Sequence, residues 1–185
     1  MELNSTQVLP VDQAKAWAAL NDVELLRSAI PGCETITATG ENEYEVHVTA
    51  AVGPVKARFK GKLRLADIVP PVSYTLHFEG QGGAAGHGKG QAAIRLEAQG
   101  AAGTLLHYTA KASVGGRLAQ VGSRLVDMAA QKMAGEFFAA FSARLVERYG
   151  VPVPAAAAAR PGVLARLLAW LRGLFGAGTG EGPAR

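Results

Sequence analysis

The chain has 185 residues, of which 49% are apolar and 18% charged, and this composition excludes a largely disordered protein. Its net charge of +4 is uneven, because residues 149–185 hold four arginines and one glutamate, whereas residues 1–148 hold 15 basic and 14 acidic residues. A body this close to neutral argues against a broad nucleic-acid-binding surface, and we expect no nucleic-acid partner.

Cys33 is the single cysteine, so the chain cannot form an intramolecular disulfide. The first residues lack the basic region and the apolar run of a secretory signal. Both features predict a cytoplasmic protein.

The first 32 residues predict one strand and two short helices. Residues 2–9 suit a strand, and residues 11–20 predict a helix that begins after Pro10. A second helix is predicted over residues 23–30. Pro31-Gly32 ends it, because proline disfavours a helical residue before it and cannot continue the hydrogen-bond ladder.

Alternating apolar and polar residues predict a series of antiparallel strands beyond residue 42. One face is apolar and the other polar, which is typical of a sheet that is covered on one side. The apolar positions are Tyr44, Val46, Val48, Ala50, Val55, Ala57, Phe59, Leu63, Leu65, Tyr74, Leu76, Phe78, Ile94, Leu96, Ala98, Leu106, Tyr108, Ala110, Ala112 and Val114.

A tight turn at Gly53-Pro54 would place Glu45 opposite Lys62 and Glu43 opposite Arg64. This register leaves three basic residues less compensated, namely Lys56, Arg58 and Lys60. They form either a solvated sheet face or a docking patch for an acidic enzyme partner or anionic lipid. Single-stranded nucleic acid is not expected there, because no aromatic residues are interleaved.

Two other motifs carry no predicted chemistry. The glycine-rich run 80–90 is followed by a strand, so it lacks the helix N-terminus of a dinucleotide site and predicts a flexible hairpin. Four isolated histidines lack metal-ligand spacing, and no metal is expected; they are His47, His77, His87 and His107.

One long helix is predicted over residues 117–148, after the break at Gly115-Gly116. The whole order predicts an α+β fold in which a curved antiparallel sheet of about six to seven strands wraps a long C-terminal helix. Residues 1–148 form the predicted domain.

Small residues recur on both predicted layers, and they either let the layers approach or leave an apolar cavity. Such a cavity suits a hydrophobic ligand and offers little catalytic machinery. The predicted lining is Tyr44, Val48, Phe59, Leu63, Tyr74, Leu76, Phe78, Leu96, Tyr108, Leu125, Met128, Ala129, Met133, Phe137 and Phe141. No catalytic residues are predicted.

The C-terminal segment predicts a membrane contact on a tether. A Pro/Ala linker over residues 149–160 precedes an amphipathic helix over residues 161–176 and a disordered tail over 177–185. The helix is too short to span a bilayer but suits its interface, on the anionic inner membrane. Its predicted membrane-binding residues are Leu164, Arg166, Leu167, Leu168, Trp170, Leu171, Arg172, Leu174 and Phe175.

An ordered set of sequence patches extends over roughly residues 1–146. They include Ile30-Pro-Gly-Cys-Glu34, Val52-Gly-Pro-Val-Lys56, Phe59-Lys-Gly-Lys-Leu63, Gly86-His-Gly-Lys-Gly90 and Gly122-Ser-Arg-Leu-Val126. With these patches the chain resembles the CoxG family of carbon monoxide dehydrogenase subunits, within the START-like, helix-grip (SRPBCC) superfamily. The resemblance implies a non-catalytic accessory protein.

The resemblance further implies partners and a ligand. The partner would be a molybdenum hydroxylase of the carbon monoxide dehydrogenase type, recruited to the inner membrane. The cavity would bind a quinone, menaquinone or ubiquinone, so that electrons reach the respiratory chain. Two alternatives stay open: a small cyclase- or hydrolase-like enzyme using Tyr44, Tyr74 or Tyr108, and a general lipid-binding or interaction module.

Overall fold

The computed structural model describes residues 1–100 and 103–150. The predicted linker and amphipathic helix lie outside the described residues. The elements in chain order are β1 (Glu2–Leu9), α1 (Gln13–Leu20), α2 (Val23–Ala29), β2 (Cys33–Gly40), β3 (Glu43–Val52), β4 (Val55–Val69), β5 (Ser73–Gln81), a 3-10 turn (Gly83–Ala85), β6 (His87–Ala98), β7 (Thr104–Gly115), α3 (Arg117–Gln120) and α4 (Ser123–Tyr149).

The seven strands form one antiparallel sheet in the order β1-β7-β6-β5-β4-β3-β2. The predicted α+β class is therefore confirmed, and so is the predicted β3–β4 register. Glu45 pairs with Lys62 and Glu43 with Arg64 across these two strands. Strand β2 was not assigned from the sequence, because its residues do not alternate cleanly between apolar and polar.

The predicted long helix is wrong in one respect, because it is divided at Gly122. This residue has a φ of +91°, in the left-handed region that favours glycine, and it separates α3 from α4. The start of α1 is also later than predicted. The Asp12 side chain accepts a hydrogen bond from the Lys15 backbone N–H (2.9 Å), so Asp12 is the N-cap.

The main hydrophobic core lies where α1, α2 and the C-terminal half of α4 pack on β1, β6 and β7. Leu9, Phe141 and Leu145 are each 0% exposed there. An ion pair holds the same end together, since Arg148 near the end of α4 lies 2.5 Å from the carboxylate of Asp22, the N-cap of α2. The other half of α4 is less closely packed on the sheet.

Candidate functional site: an apolar cavity under helix α2

An apolar cavity of about 280 Å³ lies between α2, the inner face of the sheet and the middle of α4. This volume is near the lower end of the range of about 300–1,000 Å³ that is typical of small-molecule sites. Its lining consists of Leu20, Asn21, Val23, Leu26, Ile30, Ile36, Tyr44, Leu63, Leu65, Tyr74, Leu76, Ile94, Leu106, Phe137 and Phe138.

Local structure explains how these side chains reach the cavity. Asp22 caps α2 by accepting a hydrogen bond from the Leu25 backbone N–H (3.0 Å), which fixes where the helix begins. Val23 and Leu26, three residues apart, then share one helix face. In the sheet, residues two apart share a face, and the cross-strand pair Tyr44–Leu63 lies on the inner side.

Aromatic rings form the wall on the α4 side. The ring centroids of Phe137 and Phe138 are 5.0 Å apart in an edge-on arrangement. Phe137 also stacks on Phe141, with centroids 5.5 Å apart, and Phe138 stacks on Tyr108 at 5.2 Å. This network of aromatic contacts holds the two cavity-lining rings in place.

Tyr74 is the most buried polar side chain in the cavity lining. It is 8% exposed and contacts Trp17 edge to face, with ring centroids 5.7 Å apart. Burial raises the pKa of Tyr74, and we find no hydrogen bond to its hydroxyl within the described residues. The hydroxyl therefore stays protonated and can donate a hydrogen bond to a ligand oxygen.

The second polar group, Asn21, is already engaged through its amide. Its Nδ2 donates a hydrogen bond to the Trp17 carbonyl oxygen (2.8 Å). The remaining polar atom of consequence is the hydroxyl of Tyr44, on β3. The cavity is therefore suited to a mainly apolar molecule with one or two oxygen atoms.

Five of the fifteen predicted cavity residues line this cavity, namely Tyr44, Leu63, Tyr74, Leu76 and Phe137. Leu96 and Phe141 are 1% and 0% exposed and belong to the main core. The remaining inner-face residues lie outside the lining and are half-buried, namely Val48, Phe59, Phe78 and Tyr108.

The predicted inward face is wrong for the first turns of α4. Leu125 and Met128 are 41% and 57% exposed, whereas Val126 is buried. The break at Gly122 starts a new helix and sets its rotation, so the apolar pattern read through 117–148 does not apply there. Ala129 and Met133 are half-buried and lie outside the cavity lining.

Ten lining residues were not predicted from the sequence, and one of them is Phe138, which follows the predicted Phe137 on α4. Leu65, Ile94 and Leu106 follow the same alternation as the predicted residues and could have been chosen from it. Six further residues come from the α1–α2 region and from β2. Their position at the cavity depends on how the α1–α2 pair docks over the sheet, which no local pattern specifies. Those residues are Leu20, Asn21, Val23, Leu26, Ile30 and Ile36.

Small residues leave part of the inner sheet face uncovered beyond this cavity. A Cβ atom built on Gly80 of β5 would meet no atom within 4 Å. At Gly61 and Gly90, by contrast, Val46 and Phe78 occupy the space. The small residues therefore allow close packing at Gly61 and Gly90 and leave open space at Gly80.

A larger hollow of about 920 Å³ lies against the polar face of the sheet. It is a trough between two rows of outward side chains and crosses all seven strands, a width of about 29 Å at normal strand spacing. Its charged walls balance, with Glu2, Glu43, Glu45 and Glu79 against Lys62, Arg64, Lys89 and Lys111. This open, polar trough is not suited to an apolar ligand.

The expectation that three basic residues of β4 lack compensating charges is wrong for two of them. Arg58 forms an ion pair with Glu34, and Lys60 Nζ lies 2.9 Å from Glu45. The hydrogen bond from Lys60 is the main cause that lowers the pKa of Glu45. Of the three, Lys56 alone has no ion pair within the described residues.

The histidines do not form a metal centre with the acidic residues. Among residues 1–100 and 103–150, no group of three or more His, Cys, Asp or Glu side chains is arranged to hold a metal ion. No helix in the same part of the chain is long and apolar enough to cross a membrane.

The sheet wrapped around α4, with an apolar cavity between them, defines a START-like helix-grip domain. A START superfamily protein from Mycobacterium smegmatis is similar in fold, with a TM-score of 0.63 at 12% identity over 80% of this chain and 98% of that chain. The chain belongs to the CoxG family of carbon monoxide dehydrogenase subunits, whose model matches residues 7–146. A comparison with curated proteins found no match.

Two further solved structures are similar to this domain. A conserved protein from Geobacillus kaustophilus has a TM-score of 0.75 at 27% identity, over 80% of this chain and 96% of that chain. The ZhuI aromatase/cyclase from Streptomyces sp. R1128 has a TM-score of 0.60 at 13% identity, over 86% and 99%. At 13% identity, the second likeness shows the fold alone.

Proposed function

We propose that this protein is a non-catalytic accessory protein that binds a quinone in the cavity under α2 and recruits a molybdenum hydroxylase of the carbon monoxide dehydrogenase type to the inner membrane. Family membership supports the hydroxylase as the partner. The observation that carries the ligand proposal is the apolar cavity with the protonated hydroxyl of Tyr74 inside it.

The size and chemistry of the cavity support a quinone ring as its occupant. A quinone offers two carbonyl oxygens, which only accept hydrogen bonds, and Tyr74 supplies a donor. Phe137 and Phe138 offer faces and edges against which a planar ring can pack. At about 280 Å³ the cavity holds the ring, and an isoprenoid tail would extend along the uncovered inner face near Gly80.

A bound quinone supplies two-electron redox chemistry, and the protein supplies binding and exclusion of water. Leu63, Leu76 and Ile94 surround the ring position with hydrocarbon. Menaquinone and ubiquinone both carry the two carbonyl oxygens on which the proposal rests. Identifying the quinone that co-purifies with the protein would distinguish them.

The ligand proposal is tested by filling the cavity. Leu76→Trp adds a large ring that occupies part of the open cavity, so binding of a short-chain quinone should weaken by about tenfold, a loss of about 1.4 kcal/mol. Isothermal titration calorimetry with the full-length protein measures this. Val8→Trp on the exposed face of β1 is the matched control. Equal affinities for the two variants would place the quinone elsewhere.

Membrane recruitment is tested on the terminal segment predicted from the sequence. Replacing Leu167, Trp170 and Leu171 with serine removes the apolar residues expected to enter the interface. Flotation with vesicles containing phosphatidylglycerol should fall by at least about a hundredfold. The control replaces Ala165 and Ala169, on the opposite face of the predicted helix, with serine. Unchanged flotation of the triple variant would contradict the predicted role of this segment.

An acid–base enzyme is the alternative that the sequence alone leaves open. Such an enzyme needs a group in the cavity that changes protonation in a useful pH range. The raised pKa of Tyr74 opposes a phenolate base at neutral pH. We therefore favour ligand binding over a cyclase- or hydrolase-like activity.

A further inference from the structure

The β3–β4 hairpin projects beyond the rest of the sheet. Lys60 of β4 pairs with Gln81, the last residue of β5, whereas β4 begins five residues earlier at Val55. On the other side, β2 begins opposite Val48. The last residues of the hairpin are therefore a two-stranded ribbon without a neighbouring strand, and Gly53 and Pro54 at its turn are exposed.

The start of α4 lies beside this projecting turn. A Cβ atom built on Gly53 would be 3.3 Å from Leu125 Cδ1, so the turn and the first helical turn are in contact range. Leu125 and Met128 are 41% and 57% exposed on the same helix segment. Apolar side chains are thus presented to solvent at this end of the domain.

Three cations lie at the same end of the domain as these apolar groups, and carboxylates are scarce there. Lys56, Arg117 and Arg124 are exposed and form no ion pair within the described residues. The sequence has no acidic residue between Glu45 and Asp67, nor between Glu97 and Asp127. Asp127 is the one carboxylate in the first turns of α4, and its Oδ1 is buried.

We propose that this end of the folded domain is a second membrane contact, which binds an anionic lipid surface. The contact, called the rim below, consists of Pro54, Lys56, Arg117, Arg124, Leu125 and Met128. Apolar side chains flanked by unpaired cations are what a phospholipid interface attracts, hydrocarbon into the acyl boundary and cations to the phosphates. An acidic protein surface would complement the cations but would offer no defined pocket to the side chains of Leu125 and Met128.

The rim also gives the domain an orientation. The uncovered inner face at Gly80 lies between the rim and the cavity, because Gly80 follows the cavity residue Leu76 along β5, toward the strand end that lies beside the β3–β4 hairpin. Docking by the rim would turn this open face toward the bilayer. The inference builds on the proposed membrane role, but it concerns a surface separate from both the cavity and the terminal segment.

A site-specific probe on the full-length protein tests the rim. In a Cys33→Ser background, Met128→Cys is labelled with an environment-sensitive fluorophore. Arg144→Cys, about 24 Å further along the same helix, is the matched control. On vesicles of phosphatidylethanolamine and phosphatidylglycerol, the label at 128 should shift to the blue and be protected from an aqueous quencher. The label at 144 should do neither.

A second experiment uses charge variants of the protein labelled at residue 128. Replacing Lys56, Arg117 and Arg124 with glutamine should lower the fraction of protected label at 128 by about tenfold or more, since each cation near an anionic surface contributes about fivefold. The control removes the same charge at Arg27, Lys132 and Arg144, which are paired with glutamates. It should retain protection.

The outcomes separate the rim from the proposed function. If the protein floats with the vesicles while the label at 128 stays in water, the terminal segment alone holds it and the rim proposal is overturned. If the label is protected by the purified hydroxylase and not by vesicles, the rim is a protein interface and the lipid assignment is wrong. Quinone titration of the same variants reports on the cavity independently.

Discussion

Tyr74 combines two properties that are seldom found together: it is almost fully buried, and no hydrogen bond to its hydroxyl is found among the described residues. The Tyr74 oxygen is not one of the fully enclosed side-chain atoms without a partner, so its missing hydrogen bond costs about 1 kcal/mol, the low end of the usual range. The adjacent cavity offers an explanation for this cost, since a ligand oxygen there would accept the hydrogen bond. Phenylalanine would fill the same space without the cost.

Tyr74→Phe therefore predicts opposite effects on stability and on binding. The free energy of unfolding of the ligand-free protein should be unchanged or higher, while quinone affinity falls by about fivefold to tenfold. Thermal unfolding and quinone titration measure the two quantities. Tyr108→Phe is the control, because Tyr108 is not part of the cavity lining, although its ring stacks on Phe138. Equal loss of affinity in both variants would contradict a specific role for Tyr74.

At the scale of elements, the position of α2 over the cavity depends on Asp22. Its carboxylate caps α2 through the Leu25 backbone N–H and pairs with Arg148 at the end of α4. The hydrogen bond from Leu25 is the main cause that lowers the pKa of Asp22, and Arg148 is the next. One side chain therefore ties the cover of the cavity to the long helix.

Asp22→Ala should lower the free energy of unfolding by about 1 kcal/mol at neutral pH, the usual value of an N-cap. Asp22→Asn keeps the cap and should cost less. Because the folded state lowers this pKa, the carboxylate stabilises the fold above about pH 4 and loses this effect as the pH falls through its folded pKa. The difference between wild type and Asp22→Ala should therefore shrink in acid toward the difference between Asp22→Asn and Asp22→Ala, because protonated Asp22 can still accept the hydrogen bond from Leu25; urea unfolding at several pH values measures this.

The strands were more predictable from the sequence than the helices were. In β3 and β4 a period of two and one turn at Gly53-Pro54 define both faces and the register, and the pairing of Glu45 with Lys62 followed. In α4 the rotation depends on where the helix begins. The left-handed residue Gly122 places Val126 inward rather than Leu125, and a continuous pattern could not reveal this.

The candidate site was predictable only on its sheet side. Tyr44, Leu63 and Tyr74 were identified because inward strand positions are a local property of the sequence. Leu26 and Ile30 line the cavity because α2 docks above the sheet, which is a tertiary property. The partner of Arg58 was likewise invisible, since Glu34 lies on a strand that the sequence did not predict.

The whole molecule combines an apolar cavity, membership of the CoxG family and a terminal segment that is proposed to contact a membrane. The described domain supplies the apolar cavity and belongs to the CoxG family. The terminal segment carries four arginines and one glutamate in residues 149–185 and is proposed to reach anionic lipid. A carrier of this design would collect its ligand from the bilayer and present it to a membrane-recruited enzyme.

The proposed quinone site is tested most directly by mass spectrometry of lipid extracted from the full-length protein purified from a quinone-producing host. We predict that wild type and Val8→Trp retain a quinone, and that Leu76→Trp retains much less while unfolding at a similar temperature. A folded wild-type protein that yields no quinone, or equal amounts of quinone from all three proteins, would contradict the claim that this cavity is a quinone site.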